Sequence, residues 1–482
     1  MPRSNSRSTI VAVLFVAGAA ALAAQQPSAA AKSSAAIRIP FERFTLANGL
    51  DVILAPDHST PQVTVDIWYH VGSKNEVPGH TGFAHMFEHV MFTGSLNVPY
   101  GLHDRLTEGV SGVANNGSTS NDRTNYYETV PPNYLESVLW IESDRMGFLL
   151  DKLDSAKFVA QRDIVQNERR QGVDNQPYGR SFEILTTAIY PESNPYSWPV
   201  VGYLNELQQA SVEDVKNFFR LYYAPSNATM SIVGDFEPAQ VKALVTKYFA
   251  GLPKGKPISR PTVAAHALGG EKRLVFEDRV QVPRLYLQWL GVSAADPDNA
   301  ALSYLAQVLS ASRTARLDKE LVYDKQLATN VNAFSNAQEK SGTLTISITP
   351  RPGHTLTEIE ETTDSIIARL KREGPRPDEL AKARANVEFG FVAGLESALG
   401  KAETLNNGLV FHGNPGWFKE QYTSLTTVTA DDVKRVANKY LGPNRVVLSV
   451  VPLNGGDQAS KASESTKVTV SADGGHYIMG SK

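Results

Sequence analysis

Val63, Val65, Ile67, Tyr69 and Val71 alternate with more polar neighbours, the two-residue period of a half-buried β-strand. Leu285, Leu287 and Trp289 keep the same period, as do Leu344, Ile346 and Ile348. The β-rich runs 228–233 and 445–451 predict further strands. Each of those runs follows an amphipathic helix and a Pro-marked turn, and the two stretches match. Asp214, Val215, Lys216, Tyr222, Pro225, Ser231 and Val233 recur 218 positions later as Asp432, Val433, Lys434, Tyr440, Pro443, Ser449 and Val451. Two copies of one α+β domain explain the recurrence. Helices follow strands in both copies, so each is expected to be a mostly antiparallel sheet covered by helices on one face.

The Pro/Gly/Lys-rich stretch from Leu252 to Gly270 separates the copies. This predicts a first domain over 38–252, a linker over 253–271 and a second domain over 272–453. Ahead of them, Arg3 and Arg7 precede an uncharged apolar run from Ile10 to Ala24, with Ala21-Leu22-Ala23 as an A-x-A cleavage site. That is the pattern of a secretory signal peptide, expected over 1–24, and it predicts an exported, periplasmic or secreted chain. Residues 25–37 and 454–482 are rich in Ala, Ser, Gly and Lys and read as a linker and a flexible tail. No other segment is long and apolar enough to span a membrane. The formal net charge of −3 and the lack of any basic run give no support to nucleic-acid binding. With no cysteine there are no disulfides, so stability must come from the cores, which this length permits.

The chemistry enters at His85-Met86-Phe87-Glu88-His89, an H-x-x-E-H on a stretch that reads as helix. Histidines four apart project from one face and can share a metal ion. Glu88 stands on or beside that face, where a carboxylate can reach water at the metal without being a ligand. A catalytic zinc usually takes three protein ligands. The best candidate for the third is Glu168, on a stretch that reads as an amphipathic helix with Val159, Ile164 and Val165 as its apolar stripe. From spacing alone, a solvated Glu168 pairing with Arg162 or Arg169 is the better account.

Three blocks give the chain its resemblance to the M16 peptidases, the insulinase, pitrilysin and mitochondrial processing peptidase family. They are residues 82–94 around the two histidines, Asn116-Gly117-Ser118-Thr119-Ser120 with Thr124-Asn125-Tyr126-Tyr127, and residues 162–168 with the following Asp174-Asn175-Gln176-Pro177-Tyr178-Gly179. The resemblance spans roughly residues 40 to 455. It implies one zinc held by His85, His89 and Glu168, with Glu88 as general base. It also implies that Asn116, Gly117 and Ser118 lie on an edge strand to which a peptide adds, Asn116 near the scissile bond, and that the two domains form half of a clam-shell chamber. Gly117 would permit a close backbone approach. Read without the family, the same stretch is equally a plain turn before the Tyr126-Tyr127 strand.

The pattern is broken in the second half. Self-sufficient M16 enzymes usually carry an Arg and a Tyr seven apart that bind the substrate carbonyl. Aligned on Arg316-Leu317 and Leu327-Ala328, those positions hold Val322 and Thr329. Arg316 and Tyr323 are also seven apart, but in the wrong register. Asn194 stands where relatives often have His. The expectation is therefore a zinc-dependent endopeptidase acting on short or unfolded peptides, paired with an M16-like subunit that supplies the Arg and Tyr. The alternatives are a self-sufficient homodimer using Arg316 and Tyr323, and a non-catalytic peptide-binding or scaffold subunit.

Overall fold

The structure is a computed structural model that describes residues 37–110, 112–472 and 475–480. The expected signal peptide over 1–24, and all but the last residue of the linker over 25–37, lie outside the described residues. Among the described residues, strands form two sheets. The first contains β1 (Glu42–Thr45), β2 (Asp51–Pro56), β3 (Val63–Tyr69), β4 (Ala114–Thr119), β5 (Thr124–Val130) and β6 (Ala228–Gly234), in the order β1-β2-β6-β3-β5-β4. The second contains β7 (Lys272–Asp278), β8 (Arg284–Leu290), β9 (Ala328–Ala337), β10 (Gly342–Pro350), β11 (Val446–Pro452), β12 (Thr466–Val470) and β13 (Tyr477–Met479), in the order β13-β12-β7-β11-β8-β10-β9.

The repeat is visible in this topology. In each sheet a late strand of the copy, β6 or β11, inserts parallel to β2 or β7 and antiparallel to the strand that follows it, β3 or β8. The helices leading into them, Val212–Tyr222 and Ala430–Tyr440, open with the same reciprocal cap, Ser211 with Asp214 and Thr429 with Asp432. Both sheets are thus mixed, with antiparallel pairing dominant.

Covering on one face only is not what the structure shows. Every residue of β3 is buried, not just the alternate apolar ones. Val63, Val65, Ile67 and Tyr69 enter the core under the first copy's own helices. The opposite face is capped by the helix Ala398–His412, which belongs to the second copy. Asn406 on that helix donates to the Asp66 backbone and carboxylate at 3.0 Å each and accepts from Ser231 at 2.7 Å. The exchange is reciprocal. The helix Ser181–Ile189 of the first copy buries Ile184, Leu185, Ala188 and Ile189 against Tyr286 of β8 and Val446, Leu448 and Val450 of β11. Moved by the 218-residue repeat, Ser181–Ile189 falls inside Ala398–His412, so the two swapped helices are the same element of the repeat.

The segment after 454, expected as a flexible tail, is part of the fold. β12 pairs parallel with β7, and β13 pairs antiparallel with β12. Val468 and Tyr477 are buried. Small polar residues hid a strand that has only one buried side chain to show. No helix among the described residues is long and apolar enough to cross a membrane.

Candidate metal centre

The helix Phe83–Val90 carries both histidines. Its apolar positions, Phe83, Met86, Phe87 and Val90, enter the first core, which leaves His85, Glu88 and His89 on the partly exposed face. Its start is held tightly. Gly82 has φ of 88°, a conformation that favours glycine, and a Cβ there would meet the Val201 carbonyl at 2.7 Å and the Gly202 Cα at 3.0 Å. The buried Glu76 carboxylate accepts from the backbone N–H of Gly82 at 2.9 Å and of Ala84 at 2.8 Å, occupying donors that a helix start leaves unpaired.

Glu168 comes from the helix Ser155–Arg169, capped by Asp154. Phe158, Val165 and Arg169 form its buried stripe. Ile164 does not: it is 48% exposed, on the open side with Glu168, and Val159 is also exposed. Glu168 therefore does not turn into a core. Its Oε2 lies 3.1 Å from His89 Nε2 and 3.8 Å from His85 Nε2, and it makes neither of the arginine pairs that spacing suggested. Two donors each about 2.0–2.1 Å from a tetrahedral zinc stand about 3.3–3.4 Å apart, so these separations suit one small ion. Two imidazole nitrogens and a carboxylate are a zinc donor set, and an exposed side leaves room for water. Burial holds the His85 ring below its ordinary pKa, which favours the neutral, ligating form.

Glu88 stands apart from the three converging groups. Its Oε2 accepts from Thr119 Oγ1 of β4 at 2.7 Å. That strand is the edge of the first sheet, and among the described residues no strand pairs with its outer side. Alternation puts Asn115, Gly117 and Thr119 toward the histidine helix, and Asn116 and Ser118 on the other face. Gly117 lies directly beneath Glu88, and a Cβ there would stand 3.0 Å from Glu88 Cγ. Asn116 is exposed, and its Oδ1 accepts from the Gly117 N–H. Ser118 donates to Asn125 at 2.7 Å, and Arg123 donates to the Ser118 carbonyl at 2.9 Å, which stiffens the strand end. The stretch is thus an edge strand rather than a turn. Neither spacing nor resemblance points to Glu76, to the Thr119 hydroxyl as the partner of Glu88, or to Glu183 as the partner of Arg169, which spacing offers to Glu168. Their partners are distant in the chain or follow no spacing rule.

Two family models match the chain: "Insulinase (Peptidase family M16)" over residues 51–197 and "Peptidase M16 inactive domain" over 209–387. The first match contains both histidines, Glu88 and Glu168. The chain belongs to peptidase family M16. Among its relatives, zinc protease PqqE of Helicobacter pylori is 30% identical over 411 residues, 83% of this chain and 90% of that protein. The probable mitochondrial-processing peptidase subunit beta of Arabidopsis thaliana is 22% identical over 84% of this chain and 77% of its own length. A crystal structure of a protease from Helicobacter pylori matches with a TM-score of 0.80 at 27% identity, covering 86% of this chain and 100% of that one.

In the second half of this M16 chain, Arg316 is buried and committed. Its guanidinium donates to both Glu379 oxygens, at 2.9 to 3.2 Å, and to the Gly374 carbonyl at 2.6 Å. Tyr323 is 46% exposed and lies beside Arg313. Val322 packs on the second core, and Thr329 donates to the Thr349 carbonyl at 3.2 Å. The buried Asn194 accepts from the Tyr196 N–H in its own loop.

Proposed function

We propose that this chain is a zinc-dependent endopeptidase in which His85, His89 and Glu168 hold the metal and Glu88 is the general base. The observation that carries the reading is the convergence of the three donors, within 4.8 Å of one another, from two helices that are distant in sequence. Zinc, when bound, supplies the Lewis acid that activates water and polarises the scissile carbonyl. Thr119 fixes one oxygen of Glu88, so the other is aimed by a hydrogen bond rather than by chance. Glu88 takes a proton from the attacking water and returns it to the leaving amine. The unpaired side of β4 binds the peptide as an added strand, a mode that reads backbone more than side chains and suits short or unfolded substrates.

The same reading makes the chain one member of a pair. Val322 and Thr329 offer no charged or phenolic donor to a substrate carbonyl, and Arg316 is bound to Glu379. An M16-like partner closing a shared chamber would supply the Arg and Tyr. One relative is itself named as a subunit. Export to the periplasm or beyond belongs to this proposal as well. The deciding experiment is Glu88→Gln with zinc content measured beside peptide hydrolysis, alone and with candidate partners. Retained zinc, about one per chain, with hydrolysis reduced by several orders of magnitude supports the reading. Residual activity within about tenfold of wild type refutes Glu88 as the base.

A further inference from the structure

The last strand of the fold reaches the supports of both metal-bearing helices at once. Tyr477, buried on β13, donates from its hydroxyl to Glu183 Oε2. Glu183 is locked to Arg169 by a two-pronged ion pair of 2.8 and 2.9 Å, and Arg169 immediately follows Glu168. Arg169 also donates to the Gly202 carbonyl at 2.8 Å, and a Cβ on Gly202 would meet the Gly82 Cα at 2.5 Å. One arm therefore runs from the tail to the Glu168 helix and onward to the start of the histidine helix. The neighbouring residue builds a second arm. His476 Nε2 lies 3.3 Å from Glu206 Oε1, and the other Glu206 oxygen accepts from the Thr81 N–H at 2.8 Å and hydroxyl at 2.7 Å, just ahead of Gly82. The His476 ring packs on Tyr203, its centroid 4.2 Å away, and the Tyr203 N–H donates to the Thr81 hydroxyl at 3.0 Å.

We infer that His476 and Tyr477 are positioning residues for the metal site, through which the C-terminal hairpin clamps the helices Phe83–Val90 and Ser155–Arg169 in register. The inference rests on the zinc-site reading above. Its physical basis is that a three-ligand site built from two separate helices binds only as tightly as those helices are held relative to each other. Groups that orient ligands from outside typically contribute 10- to 100-fold in metal affinity. Among the described residues the tail touches no proposed ligand directly, so an effect at the lower end is expected.

The test uses the full chain with Tyr477→Phe and His476→Ala, singly and together, and His476→Gln, which keeps a donor for Glu206. Zinc affinity is measured by chelator competition. Hydrogen exchange is measured on the metal-free protein. The double variant should bind zinc about tenfold more weakly and exchange faster across 83–90 and 155–169, with β8 and β10 unchanged. His476→Gln should recover most of the loss caused by His476→Ala. Zinc affinity within twofold of wild type with unchanged exchange in both helices would overturn the inference. So would a uniform loss of protection that includes β8 and β10, because the hairpin would then be a general stabiliser. A wild-type chain that takes up no zinc would refute the metal reading, while exchange in the two helices would still decide the clamp.

Discussion

Replacing Gly117 by alanine adds a single methyl group at the point where β4 passes beneath Glu88. That methyl would sit 3.0 Å from Glu88 Cγ and 3.2 Å from both the Asn125 carbonyl oxygen and Tyr126 Cδ1. Carbon atoms rest at about 3.5–4.0 Å, so Glu88 must retreat by about 0.5 Å or more. Strand and ring hem the methyl in on the other sides, so the carboxylate is the softest neighbour. Its hydrogen bond to Thr119, now 2.7 Å, lengthens or breaks. A misplacement of about 1 Å at a reacting group can cost about 100-fold, so a shift of half that predicts a kcat loss of about tenfold. His85, His89 and Glu168 are not in the path of the methyl, and zinc content should stay at the wild-type level. The assay is hydrolysis of a quenched-fluorescent peptide by the active assembly, with kcat and KM separated, beside metal analysis of the same samples. Wild-type kcat in Gly117→Ala would refute the claim that the β4 backbone sets the position of Glu88. A lower kcat accompanied by lost zinc would show that the substitution acts through the metal instead.

Glu168→Ala should lower zinc occupancy while Asp163→Asn leaves it unchanged, as metal analysis after dialysis will show; equal zinc in Glu168→Ala and wild type would remove Glu168 from the site. Arg316→Ala should lower thermal stability, by about 3–5 kcal/mol for one partner of a buried ion pair, and Tyr323→Phe should leave hydrolysis per folded molecule intact; full activity of the unpartnered chain, abolished in Tyr323→Phe, would favour the homodimer. Burial pushes the Asp66 carboxyl from an ordinary 3.8 up to about 7, so the folded state holds a proton that the unfolded state releases. The stability carried by this group is full below about pH 4, falls progressively above that and is gone once pH has risen through about 7, about 4 kcal/mol in all, and Asp66→Asn should flatten that slope in chemical unfolding between about pH 4 and 7.

What could be read from the chain alone follows how local the information was. Alternation over Val63 to Tyr69 reports one buried face and cannot report that Asn406, 340 positions from Asp66, covers the other. The H-x-x-E-H spacing encodes which side of a helix the two rings share, because that geometry lies within one turn. Glu168 is different. Its approach to His89 depends on how two helices pack, and its local pattern misassigned Ile164 to the buried stripe. The tail was misread for a related reason. Thr466–Val470 is too short and too polar to announce itself, and it becomes a strand because β7 offers an unpaired edge. Glu76 and Thr119 serve the site through contacts that no sequence period carries.

The reciprocal exchange of helices bears on whether the two copies are domains in the folding sense. The repeat and the Pro/Gly-rich linker invite division near residue 270, and each piece would keep its own sheet. Each piece would also lose the cover of one sheet face. In the first piece, Asp66, Trp68 and Ser231 would lose Asn406 and Phe411, and Ile184, Leu185, Ala188 and Ile189 would lose the second sheet. These four side chains are at most 1% exposed in the whole chain. Fully exposing even the three larger ones costs about 1.5–3 kcal/mol each, comparable to the whole stability of an ordinary domain. A chain ending at Gly270 should therefore lack a cooperative thermal transition and bind a hydrophobic dye, and adding residues 271–480 in trans should restore both the transition and zinc uptake. A sharp transition of the first piece alone, within a few degrees of the intact chain, would show that the swapped helices are ornaments on two independent folds. The expected failure would mean that the linker joins two halves of one cooperative unit, so that the proposed metal site in the first half depends on the second, which holds none of its three proposed ligands.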